Sequence, residues 1–185
     1  MAPSEIMERE HHHIETVLLA LRQTADAMLQ GQRPDTELLR AAVEFLRIYG
    51  DRLHHLKEET LLFPRLAHRG IPDQANPIDS FRHDHEQERA LVRVLDDSLD
   101  RFVRDQPGSG DALAHALDDV CATFERHLVK DKATLIPMAE QVLTDADKHE
   151  LETKFAWADR AVGMEVVARC VEFSTNLTAE KTATQ

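Results

Sequence analysis

HHLKEETLLFP, residues 54–64, decides how this chain is read. Two histidines, a lysine and two glutamates run directly into Leu61, Leu62, Phe63 and Pro64. Imidazole and carboxylate groups at the dry edge of an apolar run are costly unless something pairs them. The partners available are solvent, each other, or a cation.

The stretch occurs twice. Laying the prolines over one another aligns HHLKEETLLFP with HLVKDKATLIP, residues 127–137, so that His54 meets His127, Lys57 meets Lys130, Glu58 meets Asp131 and Pro64 meets Pro137. A histidine and a carboxylate four residues apart share one helical face, about one turn of rise apart, and both can bind one ion or two neighbouring ions. His55 with Glu59 is the competing register within the first copy.

Breakers and capping residues cut the chain at GQRPD (31–35), RGIPDQANP (69–77), QPGSGD (106–111) and LTDAD (143–147). The segments between them predict helices A (3–29), B (36–68), C (78–104), D (112–142) and E (146–173). With seven prolines and six glycines in 185 residues, and 42% hydrophobic content, the fold class is all-α. Short connections make successive helices antiparallel, giving an up-down-up-down four-helix bundle over residues 1–143. An additional C-terminal helix, residues 144–173, packs on it or forms a homodimer contact, and residues 174–185 form a flexible tail.

Steps of three and four place Ile78, Phe81, His85, Glu88, Val92 and Leu95 on one seam of helix C, and Met7, His11, Ile14, Leu18 and Leu21 on one seam of helix A. His11 and His85 therefore point inward with the repeat. Four imidazoles and two carboxylates result, from every helix of the bundle. Nitrogen and oxygen donors without thiolates suit iron, manganese or zinc rather than a structural zinc site. Two carboxylates from opposite helices can bridge a metal pair about 3.5 to 4 Å apart.

These motifs resemble those of the hemerythrin-like, HHE cation-binding family. EHHHIETVL, HHLKEETLLFP, HDHEQERALV and HLVKDKATLIPMAE occur in the family's order. The resemblance implies a non-haem di-iron cofactor, oxo- or hydroxo-bridged, held by His11, His54, Glu58, His85, His127 and Asp131. It further implies binding or sensing of dioxygen or a related small diatomic or peroxide ligand. The alternative is a di-iron enzyme for iron-centre repair, nitric oxide reduction or peroxide removal, and a second alternative is a metal-free helical interaction module. Two departures stand out. Asp131 occupies a position usually held by Glu in bacterial members, so its carboxylate reaches one methylene less far. Animal members carry two histidines on helix C, whereas Phe81 and Arg89 flank His85 here.

A formal net charge of −12 disfavours nucleic acid and anionic membranes as partners. The absence of a long apolar run and of a basic-then-apolar leader gives a cytoplasmic expectation. Cys121 and Cys170 sit in helical sequence as small buried hydrophobes. Lys57 and Lys130 are expected to reach solvent, Tyr49 to pack between helices, and Glu88 to act beside the site or as a further ligand. His12, His13, His68, His83, His115 and His149 are expected at the surface.

Overall fold

The computed structural model describes residues 1–182, with side-chain surroundings for residues 1–178. Six continuous helices and no strand occur among the described residues: α1 (Pro3–Leu29), α2 (36–68), α3 (Ile78–Val103), α4 (109–142), α5 (Asp145–Val162) and α6 (Met164–Thr182). Helices α1 to α4 pack in a ring of antiparallel neighbours, which is the expected bundle. Pro3 opens α1 at a position whose N–H has no helical partner anyway. The Asp35 carboxylate caps α2 by accepting from the backbone N–H groups of Glu37 and Leu38.

Two of the long helices are not α-helical throughout. Residues Leu46–His55 and Glu58–Leu62 of α2, and Asp131–Leu135 of α4, form wider π-helical turns. The repeat explains the last two. Pro64 and Pro137 have no N–H to give, and their rings crowd the carbonyls of the preceding turn. The helix responds by widening: Phe63 N–H donates to Glu58 C=O and Ile136 N–H to Asp131 C=O, five residues back instead of four. Each widened turn begins at the carboxylate that the repeat aligns.

The core is layered. On every bundle helix a polar position lies between apolar ones: Glu10 and His11 between Met7 and Ile14, His54, His55 and Glu58 between Leu53 and Leu62, His85 and Glu88 between Phe81 and Val92, and Asp131 between Leu128 and Leu135. Because the helices alternate in direction, these positions stack at one height. A large apolar cluster fills one side of that layer and a smaller one the other. Each buried Leu or Phe contributes about 1.5–3 kcal/mol, and the two apolar layers hold the polar one in place.

The single helix expected after residue 145 is instead two. Gly163 adopts φ 107°, which few side chains tolerate, and the helix breaks there into α5 and α6. A capping box between Thr144 and Asp147 starts α5, and buried Asp147 also pairs with Arg65 and Arg69 of α2. α6 then runs against α1, where Ser174 meets His13 Nδ1 at 2.8 Å. Residues 174–182, expected as tail, continue this helix; residues 183–185 lie outside the described residues. The sequence missed the break because a lone glycine in a helical pattern is ordinarily tolerated.

Candidate metal centre

All six expected ligands are buried, each with at most 1% of its surface exposed. The structure brings them together in two adjoining groups. His11, His54, Glu58 and Asp131 form one, with a donor atom from each lying within 4.8 Å of the others. His85 and His127 form the second, together with His55. Donors on one ion at bonds of about 2.1 Å lie roughly 3 to 4.2 Å from one another, so both groups stand within a small adjustment of the spacing a cation needs.

The carboxylates stand between the groups. Glu58 Oε1 is 3.7 Å from His54 Nε2 and its Oε2 is 3.0 Å from His85 Nε2. Asp131 Oδ2 is 3.4 Å from His11 Nε2 and 3.1 Å from His127 Nε2. The shorter aspartate side chain thus still spans both groups.

Each of four rings turns its Nε2 toward an inner carboxylate and its Nδ1 toward an outer one. His54 Nδ1 faces Glu10 at 3.0 Å, His55 Nδ1 faces Asp51 at 3.6 Å, His85 Nδ1 faces Glu59 at 2.6 Å, and His127 Nδ1 faces Asp84 at 3.8 Å. Cations complete the outer layer: Lys57 on Glu10, Arg89 on Asp51 and Glu59, Lys130 on Asp84. An outer carboxylate on a ring fixes its tautomer and aims the other nitrogen at the metal.

Electrostatics follow from this arrangement. Burial, with the charge of Asp131 second, pushes the Glu58 carboxyl up to about 8. Burial likewise raises Glu10 to about 7, against the pull of Lys57. His54 is held well below its ordinary value, by burial first and by the neighbouring imidazoles of His11 and His55 next. Burial opposes a charge on His55, but the adjacent Asp51 and Glu88 carboxylates prevail and raise it to about 10. Neutral imidazole is the form that ligates.

The residues fit a metal. Both oxygens of Glu58, Asp131 and Glu88, both nitrogens of His127 and Nε2 of His85 are buried without a hydrogen-bond partner. Buried polar atoms normally have one, and His11 and His54 even face each other Nε2 to Nε2 at 3.1 Å. Converging lone pairs on carboxylate and imidazole are a cation's donor set. Neither cysteine takes part: Cys121 donates to the Leu18 carbonyl, and burial pushes its thiol up to about 12.

Several expectations are corrected. His54 and His55 are not alternatives, since both are buried at the site. Adjacent side chains diverge by about 100° on an α-helix, and the π-helical stretch up to His55 provides the broader inward face that seats both. Lys57 does not reach solvent; it is fully buried and pairs with Glu10 and with Asp159 of α5. Lys130 is only partly exposed and is tied to Ser80 and Asp84. His13 is half-buried against Ser174, whereas His12, His68, His83, His115 and His149 are exposed as expected. Tyr49 packs on Phe45, their rings 5.0 Å apart. Sequence reasoning did not give Glu10 or Asp159 a role; the signal available was Glu10 at three-residue spacing from Met7 on the inward seam of α1.

The chain matches the model of the hemerythrin HHE cation-binding domain over residues 2–139, and it belongs to that family. Its His/carboxylate cluster and helical bundle are those of a metal-binding, hemerythrin-like protein. It is similar to uncharacterized proteins of Mycobacterium bovis and Mycobacterium tuberculosis, at 24% identity over 155 residues. The alignment covers 83% of this chain but 59% of each relative, so the chain spans under two thirds of their length. No solved structure matches. No helix among the described residues is long and apolar enough to cross a membrane.

Proposed function

We propose that this is a non-haem di-iron protein that binds or senses dioxygen or a related small molecule such as nitric oxide or peroxide. The observation that carries the reading is the placement of Glu58 and Asp131, each of which touches a histidine of both groups. Carboxylates so placed serve two ions better than one. His11 and His54 lie on one side of them, His85 and His127 on the other. An iron pair would supply the redox chemistry that carboxylate and imidazole donors lack.

The protein's own part is to hold, orient and shield. Apolar layers above and below exclude water from the polar layer, and the outer carboxylates keep each Nε2 aimed inward. A small ligand also has a way in. Between α2 and α3 a cavity of about 300 Å³ opens beside the site, lined by Leu46, His55, Glu88, Arg89, Val92 and Phe124 among others. Diatomics and peroxide fit that volume.

The test is to load the purified protein anaerobically with Fe(II), admit dioxygen, and follow the near-ultraviolet and visible spectrum through cycles of gas exchange. A carrier or sensor develops new absorption that reverses when the gas is removed. Steady consumption of the ligand instead establishes the enzymatic alternative, and an unchanging spectrum from iron-loaded protein refutes both.

A further inference from the structure

We propose that His55 and Glu88, outside the six residues expected to ligate, hold the second ion together with His85 and His127, so that the two metal positions are unequal. The inference rests on the di-iron reading above and assigns residues within it.

Three observations carry it. First, donor atoms of His55, His85 and His127 lie within 4.8 Å of one another, and the rings of His55 and His85 stack at 4.0 Å with their planes 12° apart. Second, His55 is oriented as the other site histidines are. Its Nδ1 faces Asp51 and its Nε2 faces Glu88 Oε2 at 3.1 Å. Arg89 anchors both Asp51, at 2.6 Å, and Glu59 behind His85, at 2.8 Å, so one guanidinium steadies the outer partners of both rings. Third, Glu88 is fully buried and neither of its oxygens has a hydrogen-bond partner, although His55 lies beside it.

The sequence makes the substitution intelligible. One turn beyond His85 on α3 stands Arg89, which cannot ligate a cation. One residue earlier stands Glu88, three positions from His85 and on the same face. The third imidazole of this group comes instead from α2, where the π-helical turn seats His55 beside His54. One position is then built by His11 and His54, the other by three imidazoles and Glu88, with Glu58 and Asp131 shared. The cavity between α2 and α3 ends on His55 and Glu88, which places the second position nearest the opening.

The rival is a purely structural His55, an imidazolium sandwiched between Asp51 and Glu88. Iron counting separates the two. Wild type, His55→Phe and Glu88→Gln are loaded anaerobically with Fe(II), desalted, analysed for iron per chain and titrated against a chelator, with melting curves in parallel. Wild type should retain two irons. His55→Phe should keep the first and lose or weaken the second by at least about tenfold, and Glu88→Gln should weaken the same step. If His55→Phe keeps both irons at unchanged affinity while melting earlier, His55 is only a buried partner and the proposal is overturned. Should His55→Phe not fold, Glu88→Gln decides: an unchanged second step overturns the proposal. A wild type that retains no iron brings down the di-iron reading itself, a failure visible without any variant.

Discussion

Glu10 accepts the Nδ1 proton of His54 at 3.0 Å and pairs through its other oxygen with the buried ammonium of Lys57. Lys57 in turn meets Asp159 of α5 at 2.5 Å. A continuous polar line thus runs from a candidate ligand to a helix outside the four-helix bundle. Removing the charge with Glu10→Gln leaves His54 free to turn. Iron affinity, read by chelator competition, is expected to fall about 10- to 100-fold.

Lys57 offers a separate test on stability. Lys57→Met leaves Glu10 buried beside His54 without its cation. Breaking a buried pair from one side costs about 3–5 kcal/mol, which urea denaturation of the iron-free protein would measure. The double variant Glu10→Gln/Lys57→Met should recover much of that loss, because neither charge then stays stranded. Equal losses in single and double variants would contradict the pairing.

Much of this fold was legible because the turns announce themselves. Asp35, the Gly and Pro cluster at 69–77 and Gly108 bound helices within a few residues of where capping chemistry puts them. The inward placement of His11 and His85 is legible from seam spacing, and that of His54, Glu58, His127 and Asp131 from the repeat. What stayed hidden depends on contacts between distant segments. The buried state of Lys57 requires Glu10 and Asp159, which lie 47 and 102 positions away. His55 was misjudged for a local reason: spacing rules assume 3.6 residues per turn, and the helix departs from that period over Leu46–His55.

Asp147 supplies the pH dependence. Hydrogen bonds from Arg69 and Thr144 hold its carboxyl well below the usual carboxylate range. A carboxyl depressed on folding stabilises above its unfolded value of about 3.9, and that stability is lost as pH falls through the folded value. Asp147→Asn should therefore lower the melting temperature at pH 7. The gap between variant and wild type should shrink below about pH 4, and a gap that stays constant with pH would show that the charge does not matter.

Gly163 joins α5 to α6 at φ 107°, and a Cβ there would approach Val166 Cγ2 at 3.5 Å. The space is ordinary; the backbone is not. Gly163→Ala is expected to cost about 1–3 kcal/mol from conformational strain, measured by urea unfolding. No loss would mean that the chain relaxes at this corner.

The central claim is that one buried polar layer grips cations, and the most direct measurement is unfolding free energy as a function of free Fe(II) under anaerobic conditions. Ligand that binds only the folded chain adds about 2.7 kcal/mol per site when present at 100 times its dissociation constant. The account predicts a rise that continues with the logarithm of iron concentration, is reversed by chelator, and disappears in His54→Leu/His127→Leu. Stability that is indifferent to iron and to chelator would contradict it.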